Sequence, residues 1–362
     1  LERGADFADG EWMSGWIALR FLKDERVAYR HFYKLYNNVS YPVTLARGAY
    51  WAGRSLEQNK QNKKAIKWYQ IAAKYPIYFY GQLAIYAWHN LDQESPDAAI
   101  KGLPSEPNTT EAQKDSIFDT KSVKLAFLLA RYTSNTDYAI KLFKYSIDQV
   151  KTEGEIAGIV RVAKSTQNEA VIVNIAKYAS YRGVFFMDDL FPILKIIPKN
   201  NPNIHLIHAI IKQESGFHVS AKSGAGAIGF MQLMPATAQE VARSVGLKYN
   251  EKRLTTDPNY NITLGSYYLT SMVRRFQGSE LLAIASYNAG PNKVREWIKT
   301  YDDPRKFTDV KDIVDWIEIV PYAETRNYIQ RIIENSIVYE YLFNHQEIEY
   351  DNLINRGEGG EE

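Results

Sequence analysis

Glu214 stands in Ile211-Lys212-Gln213-Glu214-Ser215-Gly216. A glycine-rich stretch follows and ends in Gly229-Phe230-Met231-Gln232. Later comes Ser286-Tyr287-Asn288-Ala289-Gly290. No second carboxylate is evident in sequence beside the acid. Ordinary glycosidases use two carboxyl groups, one to protonate and one to attack or to activate water. A lone acid with amide and phenol neighbours points instead to sugar chemistry in which one carboxyl group serves alone. Such an acid must hold its proton near neutral pH to donate to a leaving oxygen.

The elements around Glu214 can supply that condition. Asn201-Pro202 reads as an N-cap and a proline in the first turn. Ile204, Ile207, Ile210 and Ile211 then form the apolar face of a helix, and Ser215-Gly216 is its stop. Glu214 falls at the negative end of the helix dipole, which disfavours a carboxylate. Burial in a cleft acts in the same direction.

Residues 221–232 contain Gly224, Gly226 and Gly229 but no Gly-Lys-Ser/Thr ending and no preceding strand, so a phosphate loop finds no support. The glycines are expected to let backbone approach a bulky ligand. Met231 and Gln232 would add a soft apolar contact and an amide. Pro235 opens the next helix. The apolar run at residues 281–285 is helical, is ended by Gly290-Pro291, and leaves Tyr287 and Asn288 at its mouth. Further on, Pro321 separates two helices. Glu324 and Arg326, two apart, do not face each other. Tyr328 lies on the second helix and could point into the cleft. His205 and His208 are spaced for a metal pair, yet no third ligand has suitable spacing. No Gly-x-Ser-x-Gly elbow is present, so a serine hydrolase finds no support.

The 362 residues suffice for about two domains. Apolar residues are 45% and charged residues 24%, which fits a globular protein with a sizeable core. The net charge of +2 gives no broad basic field for nucleic acid. Absence of cysteine excludes disulfides, thiolate metal sites and cysteine nucleophiles. No apolar run approaches the roughly 18 residues of a membrane helix. The first residue is Leu1 rather than Met, which suggests a trimmed N-terminal segment and leaves a signal peptide neither shown nor excluded.

Residues 1–190 read as short helices almost throughout. Gly53, Ala65, Tyr69 and Ala72 follow the spacing of a tetratricopeptide-type helix pair, in which small residues let helices approach. With only one clear unit, the region reads as an irregular α-superhelix. Residues 101–111 form a Pro/Ser/Thr-rich break, and Pro198 to Pro202 a second one. Beyond Glu347 the chain is acidic and reads as a disordered tail. The expected domains are 1–195, 196–346 and the tail 347–362.

Residues 200–345 resemble the soluble lytic murein transglycosylases, a family related to goose-type lysozyme. The resemblance rests on Gln213-Glu214-Ser215, on Gly229-Phe230-Met231-Gln232 with Pro235, and on Asp257-Pro258 with Asn261, Ile262 and Gly265. Tyr287 through Gly290 and Glu318 through Tyr328 complete it. Phe79-Tyr80-Gly81-Gln82-Leu83-Ala84 is similar to the family's α-superhelical region. Phe230 stands where the family usually has leucine, and Ser286 where it usually has alanine. The resemblance implies an all-α protein, a helical superhelix followed by a lysozyme-like catalytic domain. It implies cleavage of the β-1,4 bond between N-acetylmuramic acid and N-acetylglucosamine in peptidoglycan, with 1,6-anhydromuramyl products. It makes Glu214 the acid and then the base. Ser215 would orient substrate or acid, and Met231, Gln232, Tyr287 and Asn288 would line the sugar subsites. Tyr328 would support Glu214 or the oxocarbenium-like centre, and Glu318 would reach the muramyl peptide side. No metal or organic cofactor is implied. The implied partners are glycan strands and muropeptides, with the helical half open to cell-wall assembly partners, and the implied compartment is the periplasm.

Two rivals remain at this stage. A goose-type lysozyme-like hydrolase would use the same acid on the same bond and add water. A non-catalytic peptidoglycan-binding scaffold would not require Glu214 with its flanking motifs.

Overall fold

A computed structural model describes residues 4–92, 103–107 and 117–344. The described residues are predominantly helical, as expected, and carry isolated bridges but no strand. The acidic tail lies outside them, as does most of the 101–111 break. No helix among them is long and apolar enough to cross a membrane. They gather into two compact units, one of residues 4–92, 103 and 333–344, the other of 104–107 and 117–332.

In the first unit, helices Ala5–Arg20, Glu25–Asn37, Pro42–Gln58, Asn62–Ala72 and Phe79–Leu91 succeed one another. The pair at Pro42–Gln58 and Asn62–Ala72 is the helix-turn-helix expected from spacing. A Cβ on Gly53 would meet the Tyr69 ring at 2.6 Å, so glycine sets how closely the pair approaches. Tyr50, Trp51, Tyr69 and Tyr80 are enclosed and form much of the core. The Phe79–Leu91 helix has no side-chain cap of its own at Tyr78. Its Phe79 N–H donates to Glu334 Oε2 at 2.8 Å, and Gln82 Nε2 donates to the Glu334 carbonyl at 3.1 Å. A carboxylate distant in sequence thus satisfies an orphan donor at the positive end of the helix.

The second unit opens with helices Lys121–Tyr132, Thr136–Gln149, Glu153–Ser165 and Glu169–Ser180. Thr152 and Glu155 form a reciprocal capping box at the third of these. Residues 191–203 are irregular, as the proline pattern predicts, and lie inside this unit. Then follow Ile204–Ser215, Pro235–Ser244, Pro258–Arg275, Glu280–Ala289, Pro291–Thr300, Val310–Ile319 and the start of Ala323–Asn344.

One boundary differs from the sequence expectation. The Glu214 helix begins at Ile204, not after Asn201. Asn201 Oδ1 accepts the Asn203 N–H at 2.9 Å and its carbonyl accepts the Ile204 N–H at 3.1 Å. Asn201 therefore closes a turn that leads into the helix, and its side chain is used there rather than as the cap.

Candidate active site

The Glu214 helix is buried along residues 204–211. His208 is fully enclosed on it. Its Nε2 accepts the Leu194 N–H at 3.0 Å, and its Nδ1 lies 2.7 Å from the Ile204 carbonyl. An imidazole that accepts at Nε2 must carry its proton on Nδ1. Burial holds this neutral ring down to a pKa of about 4. His205 instead places Nε2 3.5 Å from Glu280 Oε1. The two histidines thus lock the helix to its neighbours, and no group of three metal-capable side chains occurs among the described residues.

The buried His208 makes stability pH-dependent. The folded chain keeps the ring neutral where the unfolded chain, titrating near 6.5, takes a proton. Its contribution is complete above pH 6.5 and is lost as pH falls toward 4. Unfolding free energies should fall by about 2 kcal/mol between pH 7 and pH 5 from this group alone. The difference in unfolding free energy between wild type and His208→Gln should change by that amount between pH 7 and pH 5 in denaturant titrations, because Glu214 titrates in the same window with the opposite sign in both proteins.

Gly216, in the left-handed region at φ 54°, ends the helix where the sequence pattern stops it. Ser215 Oγ donates back to the Ile211 carbonyl at 3.0 Å, keeping its oxygen lone pairs for another donor. Glu214, half-buried, is pushed up to about 7, chiefly by loss of water. Contact with Tyr328 opposes the rise, and the charge of Glu324 adds to it. The buried Tyr328 hydroxyl makes no hydrogen bond of full geometry among the described residues, so it meets Glu214 as a close polar contact. Both Tyr328 and Tyr287 are held well above the usual phenol range by burial, with the charge of Glu214 contributing.

The glycine-rich segment is a hydrogen-bonded knot, not an open connector. Ile228 and Leu233 exchange backbone bonds at 3.0 and 3.1 Å, and the Gly229 N–H donates to the Ala221 carbonyl at 2.8 Å. Asn261, fully buried, ties the knot down. Its Oδ1 accepts the Met231 N–H at 2.9 Å, while Nδ2 donates to the carbonyls of Ile228 at 3.0 Å and Leu254 at 3.1 Å. A Cβ on Gly229 would collide with Asn261 Nδ2 and the Leu254 carbonyl, and its φ is 81°. This glycine admits the protein's own core, where the sequence suggested a bulky ligand.

The sequence-named residues divide into two groups. Gln232 bends through a left-handed φ of 45°, and its Nε2 donates to the carbonyls of Ala221 and Gly229 at 3.1 and 2.8 Å. Tyr287 donates from its hydroxyl to the Met231 carbonyl at 2.8 Å. Asn288 Oδ1 accepts from Thr325 Oγ1 at 2.7 Å. Glu214, Ser215, Gln232, Tyr287 and Asn288 all retain partial exposure. Met231 and Glu318 face inward: the first is enclosed against Gly265, and the second is 3% exposed and accepts from Gln330 Nε2 at 3.0 Å. Asn261 and Thr325 lie within segments that carry the sequence pattern, but the bonds that tie them to Met231 and Asn288 span 30 and 37 residues and leave no local signal.

Residues 191–310 match the family described as the Transglycosylase SLT domain. The soluble lytic murein transglycosylase of Escherichia coli (strain K12) is 33% identical over 135 residues, covering 37% of this chain and 20% of that protein. The transglycosylase of Enterobacteria phage PRD1 is 33% identical over 106 residues, covering 29% of this chain and 36% of the phage protein. Among solved structures, an inactive mutant of lytic transglycosylase Slt from Pseudomonas aeruginosa superposes with a TM-score of 0.70 and 28% identity, over 93% of this chain and 52% of that one. The 70 kDa soluble lytic transglycosylase of Escherichia coli gives a TM-score of 0.64 at 20% identity, over 96% and 53%. The chain thus spans about half the length of these structures, and its match covers a fifth of the curated Escherichia coli relative. The all-α fold expected from sequence agrees with theirs.

Proposed function

We propose that this chain, which carries a lytic transglycosylase SLT domain, cleaves the β-1,4 bond between N-acetylmuramic acid and N-acetylglucosamine of peptidoglycan and leaves 1,6-anhydromuramyl ends. The observation that supports this most is Glu214. It is a half-buried carboxyl raised to about 7, and the carboxylate whose charge reaches it belongs to the exposed Glu324. Protonated Glu214 donates to the glycosidic oxygen as that bond breaks. The substrate's 2-acetamido carbonyl assists departure of the leaving sugar, as in substrate-assisted exceptions to the two-carboxylate rule. The resulting Glu214 carboxylate takes the proton of the 6-hydroxyl, whose oxygen closes onto the anomeric carbon. Atoms balance without water, and intramolecular attack gains from high effective molarity. Ser215, Gln232, Tyr287 and Asn288 line the sugar path in this reading. Met231 acts through its carbonyl on Tyr287, and Glu318 through the packing beneath the Ala323–Asn344 helix. In this reading the catalytic domain is residues 196–346 and the superhelical one residues 1–195, a functional division distinct from the two compact units, and the substrate is a periplasmic one.

The test is digestion of sacculi followed by mass spectrometry of the new muramyl termini. Anhydro ends, lighter than reducing ends by one water, are expected; reducing ends alone would overturn the transglycosylase reading.

Glu324 offers the specific opening for a second reading, a hydrolase in which it activates water. Glu324→Gln separates the two. A transglycosylase should keep its turnover at pH 6, whereas a hydrolase relying on that base should lose roughly 10²-fold or more. In wild type, kcat/KM should decline above about pH 7 as Glu214 loses its proton. Because Glu324 raises that pKa, Glu324→Gln should move the decline to lower pH. PH–rate profiles on a soluble muropeptide substrate measure both effects.

A further inference from the structure

Tyr322 is a large aromatic with 46% of its surface exposed, placed between helices Val310–Ile319 and Ala323–Asn344, the second of which carries Glu324, Thr325 and Tyr328. It is held rigidly. Its ring meets that of Trp297 at 5.5 Å between centroids with 89° between planes. Trp297 is only 4% exposed, so the contact is anchored in the core. Arg326 Nη1 donates to the Val320 carbonyl at 2.7 Å, and the Arg326 N–H donates to the Tyr322 carbonyl at 2.9 Å, which fixes the turn on both sides. A T-shaped contact covers one edge or one face of a ring, so Tyr322 keeps at least one flat face for a ligand.

Its neighbours in the chain contribute to the site. Thr325, three residues on, bonds Asn288 at 2.7 Å, and the charge of Glu324, two residues on, reaches Glu214. Trp297 sits on the Pro291–Thr300 helix, which is joined through Gly290 alone to the end of the helix that carries Tyr287 and Asn288. Tyr132, Tyr138 and Tyr145 are more exposed, at 72%, 64% and 55%, but stand on helices Lys121–Tyr132 and Thr136–Gln149, which supply no group to the site.

We propose that Tyr322 is an outer stacking platform that takes the apolar face of a pyranose ring in a glycan strand whose scissile bond lies at Glu214. This rests on the reading of the Glu214 site as a glycan cleft. A rigid tyrosine gives contact area while losing little side-chain freedom. The outer platform adds affinity only for strands long enough to reach it, so it makes the enzyme prefer longer strands.

Binding of muro-oligosaccharides of increasing length to Glu214→Gln protein, by calorimetry, tests this. The parent protein should gain affinity stepwise with length. Adding Tyr322→Ala or Tyr322→Leu should remove roughly three- to tenfold of the affinity for the longer oligomers, leaving the disaccharide unaffected. Tyr322→Phe should retain the gain. Leucine still covers Trp297 but lacks a flat ring, so melting temperatures close to the parent's separate stacking from a structural role. Unchanged length dependence in Tyr322→Ala and Tyr322→Leu, or equal loss for short and long oligomers, overturns the inference. A parent that binds no glycan at any length overturns the reading of the site itself.

Discussion

Glu214→Gln should abolish cleavage while glycan binding survives. The substitution keeps the shape and a hydrogen-bonding amide but supplies neither a proton for the leaving oxygen nor a base for the 6-hydroxyl. General acid–base catalysis contributes about 10²- to 10⁴-fold per role. Both roles fall on one carboxyl group here, so a loss at or beyond the upper end of that range is expected in sacculus turbidity or muropeptide release. Wild-type turnover in this variant would remove Glu214 from the mechanism. The same variant should be the more stable protein at alkaline pH. The raised pKa means that the folded chain holds a proton between 4.5 and about 7 that the unfolded chain has released. Stability from this group is therefore complete below 4.5 and falls as pH rises to about 7, beyond which a charged carboxylate remains half-buried. At pH 8, Glu214→Gln should exceed wild type by about 1–3 kcal/mol in denaturant unfolding. Such an exchange of stability for function is common where a group is held in an environment that disfavours it.

The second large effect is structural. Asn261→Ala should destabilise the protein by about 3–5 kcal/mol, since the Met231 N–H and the carbonyls of Ile228 and Leu254 lose a buried partner together. Catalysis should fall with it. Met231 offers its carbonyl to Tyr287, so loosening the knot frees a phenol beside Glu214. Asn261→Asp should fail almost as badly, because a carboxylate still accepts from Met231 but faces two carbonyls it cannot donate to. Equilibrium unfolding, with kcat at a temperature where the variant is folded, measures both consequences. A loss below about 1 kcal/mol would show that water replaces the amide.

Legibility followed the range of the interactions. The Glu214 helix, its stop at Gly216 and the prolines at 235 and 291 rest on contacts within a few residues, and the sequence pattern places them closely. The start of that helix differs from the sequence expectation because Asn201 and Asn203 form a turn whose geometry competes with a cap. The pattern of the glycine-rich segment predicts an approach for ligand, and the structure uses Gly229 for the core. A glycine that makes room for a distant asparagine and one that makes room for a sugar have the same letter.

The chain's order of residue types determines an all-α protein with one acid at a helix end, flanked by amide, phenol and glycine-rich segments, because helix periodicity and caps are local. Only the tertiary structure decides that this acid is half-buried and raised to about 7, with Tyr328 against it and Glu324 within electrostatic reach. It also decides that Met231 and Glu318 face inward and that Asn261 ties the loop to the core. Protonation depends on how much water and how many charges surround a carboxyl, and those neighbours come from segments more than a hundred residues apart.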